Sequence, residues 1–510
     1  MTHTGFRIQP DWDKALSENS KYIWFHQYDS SSTKYRKLEY RNPILVPDDE
    51  DITCNLISQN LLQLLSHNPQ ISKFFQRPDS CYDLLSSTAK NPRTHLSSFD
   101  VSPSGELFIA SFSGPTLKLY ESQTGIVRRS LEGHVGDIFT SKFFPSGLVA
   151  LTAGSDMQLK IWCLITGRCA ATLAPKCAGA VTGINIDNKN EPGGHRAGIL
   201  DTAIIDRGRN IASIDRLGWL RLWDVATQTC LSAIPVTPSA LEVRTASSIV
   251  LEEVTCLAIR KHPNLPIQST SPEDKFSEPW YQIRETSSTI AQEVSTSDAL
   301  IAVGTGTNAS VRLYELANRQ KGCVAQCTLP SANGSVESCA FPEELPASMS
   351  KRLQLIDVPK SCVSTFMDYG LFAGSQHGEL TSWDIRQTRQ PLWLLTHEKG
   401  AVQHIRVCRR PNCQYLIVIV SQSDGRTLVY PYNPAVGQDN SSSSSSLPSS
   451  SIPISLELTG VNCEPMRGVS VVYKESGDLS VWSATRSGKI HQYKKLSDEI
   501  SFRSLQMNNT

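Results

Sequence analysis

From residue 95 onward, short runs rich in Phe, Leu, Ile and Val alternate with turns built from Pro, Gly, Ser and Asp. In FDVSPSGELFIAS a strand-like run breaks at Pro103-Ser104-Gly105 and resumes, and SKFFPSGLVALTAG does the same at Pro145-Ser146-Gly147. Proline fixes one backbone angle and glycine supplies the left-handed one, so each stretch reads as two antiparallel strands. A second turn leads to a third strand ending on an aromatic residue. These strands are TLKLY (Tyr120), QLKIW (Trp162), WLRLW (Trp223), SVRLY (Tyr314), ELTSW (Trp383), RTLVY (Tyr430) and KIHQY (Tyr493). Seven such units, none able to bury both faces alone, predict an all-β, seven-bladed β-propeller.

The pattern places the propeller over residues 81–496, after a small N-terminal domain of residues 1–80 and before a tail at 497–510. Within the N-terminal part, 22–40 reads as two strands about a Ser-rich turn, and NLISQNLLQLLSHNPQISKFF (55–75) reads as a helix. The last blade ends at its third strand, so residues 81–94 are expected to supply the fourth and leave no open edge. Polar stretches at about 261–298 and 342–367 join first to second strands. The Ser-rich 438–453, a disordered insertion by composition, joins third to fourth. All three belong on one face; only 178–194 opens on the other, the upper face, which is left clear for binding.

Candidate chemistry changes this picture little. A Gly-His pair precedes Trp162 and another precedes Trp223 at the same interval, and Trp223-Asp224 and Trp383-Asp384 repeat one dipeptide. These residues resemble the WD-repeat family. That resemblance implies a buried hydrogen-bonded tetrad of His134, Thr152, Asp156 and Trp162, which holds a sheet together. A catalytic triad would need an exposed nucleophile beside an oxyanion site. Six residues before the aromatic, the Asp position holds Gly114, Leu217, Asn308, His377 and Ser487; only Asp156 and Asp424 keep it, with Asp215 a possible substitute for Leu217. His377 reads as a turn residue, since no metal-spaced partners surround it.

Lysine plus arginine and aspartate plus glutamate number 49 each, so no global field draws the chain to nucleic acid or anionic lipid. The start has no basic-then-apolar signal, no segment is apolar enough to span a bilayer, and 14 cysteines include no CxxC pair. An intracellular protein with reduced thiols is expected, in the cytoplasm and also the nucleus. Phosphate-loop, GxSxG and HExxH motifs are missing, so no enzyme, cofactor or metal is expected.

Longer stretches carry a closer likeness. LEGHVGDI with FFPSGLV, GGHRAGILDTAIIDRGRN with RLWD, ELTGVNCEP, and the early FRIQPDW are similar to the proteasomal ATPase-associated factor family. The resemblance implies a non-catalytic assembly chaperone. It would bind the C-terminal domain of a proteasomal ATPase subunit through the propeller, alongside other base-assembly chaperones, and leave before the proteasome is finished. A different class, a cullin–RING ubiquitin ligase substrate receptor, has the box WDIR (383–386) as its one cue. Upper-face loops would carry Asp137, Asp215, Glu252, Glu253, Glu337, Glu379 and Glu464. Such an acidic ring would steer a basic partner, with Arg196, Arg216, Arg467 and Arg486 opposing it.

Overall fold

The computed structural model describes residues 5–17, 22–28, 33–41, 44–48, 51–67, 70–85, 94–174, 194–236, 254–261, 299–306, 309–316, 322–330, 334–343, 362–396, 400–410, 415–433 and 455–496. The early chain forms β1 (Gly5–Ile8), α1 (Trp12–Ser17), β2 (Tyr22–Tyr28), β3 (Thr33–Arg41), β4 (Ile44–Pro47), β5 (Ile52–Ser58), β6 (Leu61–His67), β7 (Gln70–Gln76) and β8 (Ser80–Asp83). Seven antiparallel four-stranded blades follow: 1 (96–130), 2 (138–173), 3 (199–235), 4 (254–328), 5 (336–396), 6 (402–458) and 7 (466–493), of which blade 6 is part of an eight-stranded sheet that also takes in β5, β6 and β7. Blade 7 takes its fourth strand from β8, which pairs antiparallel with Lys489–Tyr493. That pairing ties the two ends of the propeller together and removes an open edge.

The turns explain why these residues form hairpins. The Gly105 amide donates to the Ser102 carbonyl at 2.8 Å and Gly147 to Phe144 at 2.9 Å, with φ of 75° and 70°. A side chain at either position would strain the backbone. Adjacent blades share their apolar cores. Ile109, Leu119, Ala150 and Trp162 join blades 1 and 2, while Phe108, Tyr120, Trp482 and Ile490 join blades 7 and 1. Burial of each large side chain stabilises by about 1.5–3 kcal/mol, so no blade stands without its neighbours.

First strands lie next to one another around the ring, the last against the first. Polar staples cross the junctions. Asp100 of blade 1 accepts from the Phe143 amide of blade 2 at 2.8 Å and from Ser470 of blade 7 at 2.8 Å. Lys142 of blade 2 meets Asp201 of blade 3 at 2.8 Å, and Asp201 accepts from the Leu257 amide of blade 4 at 3.0 Å. Thr255 donates to the Val336 carbonyl, the Ile405 amide to Ser338 at 3.1 Å, and Arg406 to the Val469 carbonyl at 2.9 Å. Every junction carries at least one such bond.

The N-terminal part departs from one expectation. Residues 55–75, expected as a helix, form most of β5, β6 and β7, paired antiparallel. The reason is burial on both faces of β6. Leu62 and Leu64 enter a core with Phe6, Trp12, Ile23, Phe25 and Leu38, while Leu61 joins the core shared by blades 6 and 7. A strand covered on both sides loses the alternation that would have marked it. β7 pairs in parallel with Ser455–Leu458, the outer strand of blade 6, so that blade continues into the N-terminal part. Lys73 clamps the seam, reaching Glu457 at 2.5 Å and the Phe6 carbonyl at 2.7 Å. Trp12 donates its indole proton to Thr459 at 3.0 Å.

The insertion at 342–367 contains structure. Pro342–Glu343 runs parallel to the first strand of blade 6, and α2 (Cys362–Tyr369) places Phe366 and Met367 in the core between blades 5 and 6. The Ser-rich 438–453 lies outside the described residues, as do 262–298 and nearly all of 178–194.

Candidate docking face

Two buried networks sit where the histidines of blades 2 and 3 meet their terminal tryptophans. In blade 2, His134 Nδ1 lies 2.7 Å from Asp156 and Nε2 lies 2.7 Å from the Thr152 hydroxyl, which accepts the Trp162 indole proton at 2.8 Å. The Val135 and Gln158 amides also donate to Asp156. Burial pushes the Asp156 carboxyl up, but the His134 bond and charge and these amides outweigh it, leaving it below its ordinary value. Thr152 has no exposed surface. This hydroxyl bridges two strands.

Blade 3 repeats the arrangement. His195 lies 2.7 Å from Asp215 and 2.6 Å from Ser213, and Ser213 accepts from Trp223 at 2.8 Å. Burial holds the His195 imidazole below its ordinary value against the pull of Asp215. The substitute for Leu217 is therefore Asp215, whose Oδ1 also accepts the Leu217 and Trp219 amides at 3.1 and 3.0 Å. This corrects its placement among the partner-binding acids. Asp215 is 0% exposed and belongs to the brace.

Elsewhere the brace is incomplete. In blade 5, Ala373 occupies the register position of Thr152 and Ser213, and the buried Trp383 Nε1 has no hydrogen-bond partner among the described residues. In the neighbouring WDIR box, Arg386 donates to Asp384 at 2.9 Å and lies 4.1 Å from the Tyr369 ring centroid. The box thus has a local structural role. In blade 6, Asp424 keeps the turn position, but its carboxylate meets Arg7 of the N-terminal part and Arg426 at 2.8 Å. His377 lies in the blade 5 turn with its amide held by Ser375. Among the described residues, no group of three His, Cys, Asp or Glu could hold a metal ion.

The remaining acids sit on upper-face segments. Asp137 immediately precedes the first strand of blade 2, is exposed and accepts the Gly114 amide. Glu337 lies in the first strand of blade 5 and accepts from Ser335; Glu379 opens that blade's third strand. Glu464 lies between blades 6 and 7 with Oε2 buried and unpartnered among the described residues. Glu252 and Glu253 lie outside the described residues. Arg196, Arg216 and Arg486 are exposed on the same side, so the face is mixed in sign. Burial, then Arg486, lowers the Arg467 guanidinium from its ordinary value.

A sheet brace made of Gly-His, Thr or Ser, Asp and Trp, repeated at one interval inside a closed ring of blades, decides the class. This is a WD-repeat propeller. The family description "WD domain, G-beta repeat" matches residues 125–163, from the outer strand of blade 1 through Trp162. The chain is similar to proteasomal ATPase-associated factor 1 of Homo sapiens, 28% identical over 148 residues, 28% of this chain and 36% of the relative. The Gallus gallus counterpart is 32% identical over 148 residues, with the same shares. The 26S proteasome regulatory subunit RPN14 of Saccharomyces cerevisiae is 36% identical over 102 residues, 20% of each chain. The chain thus spans about a third or less of the length of these curated relatives. The resemblance to the proteasomal ATPase-associated factors stands on these matches. No helix among the described residues is long and apolar enough to cross a membrane.

Three of the stretches that carry this likeness have structural work. In GILDTAIIDRGRN, Asp201 staples three blades, Arg209 pairs with Asp224 at 2.6 Å and Asn210 donates to the Trp223 carbonyl at 3.1 Å. FRIQPDW and ELTGVNCEP meet at the seam through Trp12 and Thr459. The seam was illegible in the sequence because its partners lie hundreds of positions apart.

Proposed function

We propose that this WD-repeat protein is a non-catalytic factor in proteasome assembly. It binds the C-terminal domain of a proteasomal ATPase subunit through the upper face of the propeller and promotes assembly of the regulatory-particle base. The similarity to the proteasomal ATPase-associated factors is the observation that carries this reading. It is supported by the histidine–carboxylate–hydroxyl sets of blades 2 and 3, which are spent on bracing strands. Other base-assembly chaperones would be fellow partners, and the cytoplasm and nucleus the compartments. The acids that would meet a basic partner are Asp137, Glu337, Glu379 and Glu464, with Glu252 and Glu253 beside them.

The test reverses these acids to lysine in groups, leaving Asp215 intact, and measures ATPase-domain binding across salt concentrations. Weaker binding with a shallower salt dependence and unchanged thermal unfolding is expected. Undiminished affinity and an unchanged salt slope would move the site off this face. Affinity purification that returned a cullin adaptor in place of ATPase subunits would favour the receptor reading.

A further inference from the structure

The N-terminal sheet turns an aromatic face to solvent. Across β1, β2 and β3, Arg7 is paired with His26 and His26 with Tyr35, and Trp24 is paired with Lys37 one step along. Ile23 and Phe25 point the other way into the core, so Trp24 and His26 lie on the outer side by strand alternation. Trp24 is 56% and Tyr35 78% exposed. Tyr35 packs on His26 with ring centroids 5.6 Å apart. Two large aromatic side chains on neighbouring strands are more than isolated surface residues, and Trp, Tyr and Arg are the types that dominate binding hot spots.

Beside these rings the sheet meets blade 6 in a groove of about 230 Å³. Ile8, Pro10 and Val461 give it apolar walls, and Arg7 and Arg426 bring two guanidinium groups to the single carboxylate of Asp424. Glu457, the other acid of the lining, is matched by Lys73 at 2.5 Å. With Lys73 behind Glu457, three cations among the described residues stand against two acids at the groove. His26 reports the same field: burial first, then Arg7, with Lys73 and Arg426, holds its imidazole below the ordinary value against Glu457.

We propose that this groove docks an acidic peptide segment of a partner protein, with a carboxylate at Arg7 and Arg426 and an adjacent aromatic or aliphatic side chain against Trp24 and Tyr35. A nucleic-acid strand is the weaker occupant. Its repeating phosphates would pass Asp424 and Glu457, whereas one peptide carboxylate needs one cationic spot and the apolar walls take its neighbour. The groove adjoins the upper-face loops through Asp424, Val461 and Cys463 but is lined by none of the rim acids, so peptide binding that survives reversal of those acids stands apart from the ATPase-domain reading.

The experiment uses the full chain and fluorescein-labelled peptides in which glutamate alternates with leucine or phenylalanine, followed by anisotropy. Glutamine-for-glutamate peptides and a labelled oligothymidylate are the comparison arms. Binding of the acidic peptide should weaken roughly tenfold or more in Trp24→Ala and Tyr35→Ala, whose exposed side chains leave the fold intact. Arg7→Gln should weaken it as well, with thermal unfolding as the control for seam damage. Wild-type-like binding by both aromatic variants, equal affinity for the glutamine peptide, tighter binding of oligothymidylate, or no peptide binding would each overturn the proposal.

Discussion

Blades 2 and 3 brace themselves; blade 6 is braced from outside. In the first two, histidine, hydroxyl, carboxylate and indole close a network within one sheet. Blade 6 keeps the turn carboxylate, Asp424, but its partners are Arg426 and the distant Arg7, and its outer strand is paired to β7. The difference shows that the tetrad is one solution to a general need. A turn carboxylate must find donors, and the chain can supply them from the same repeat or from a separate piece that then becomes part of the propeller.

Breaking each kind of brace should reveal that equivalence. Lys73→Met leaves Glu457 buried without its cation and should cost about 3–5 kcal/mol, while adding Glu457→Leu should recover much of the loss. Asp215→Ala should cost about 2–4 kcal/mol by leaving His195 and two amides without their acceptor. Denaturant unfolding measures both. If Lys73→Met cost less than a surface substitution, the N-terminal part would be an appendage and not a brace.

Much of this was legible in the sequence. The aromatic-ended third strands, the Pro-Ser-Gly turns and the blade 2 tetrad are local patterns, and local patterns survive without a structure. The helix expected at 55–75 failed because β6 is packed on two sides, which erases the period that separates strand from helix. Asp215 was read both as a brace and as a rim acid, since sequence position alone does not distinguish a turn's buried side from its exposed side. Arg7 with Asp424 and Lys73 with Glu457 join positions far apart in the chain, so nothing in either stretch alone announces them.

Acid should act first on the blades that lean on the N-terminal part. Burial, then neighbouring positive charges, lowers His404 of blade 6 and His491 of blade 7 from 6.5 to about 4. His195 of blade 3 is lowered as well. A histidine with a lower pKa folded than unfolded binds fewer protons when folded. Its stabilising effect is present above about pH 6.5 and is lost as the pH falls towards 4. The loss for each of His404 and His491 is on the order of 2–3 kcal/mol. The lowered Asp156 carboxyl contributes later, below its ordinary 3.8. Unfolding free energy measured from pH 7 to 4 should fall, and His404→Gln and His491→Gln should each flatten the slope. A slope unchanged in both variants would place the acid sensitivity elsewhere.

The smallest expected effect tests the comparison by construction. Blade 5 ends in Trp383, buried like Trp162 and Trp223, but Ala373 stands where those blades carry Thr152 and Ser213. Its indole nitrogen is left without a partner among the described residues. Ala373→Ser would put a hydroxyl at the register that accepts the indole proton in blades 2 and 3. A satisfied buried donor is worth about 1 kcal/mol net, offset by the desolvation of the new hydroxyl. The variant should therefore be more stable than the parent by up to about 1 kcal/mol, whereas Ser213→Ala in blade 3 should lose about 1–3 kcal/mol by stranding both His195 and Trp223. Opposite signs for the same hydroxyl exchange would show that the brace depends on the indole–hydroxyl pair. Destabilisation by Ala373→Ser would instead mean that the surrounding core of blades 4 and 5 is packed too tightly to admit one more polar atom.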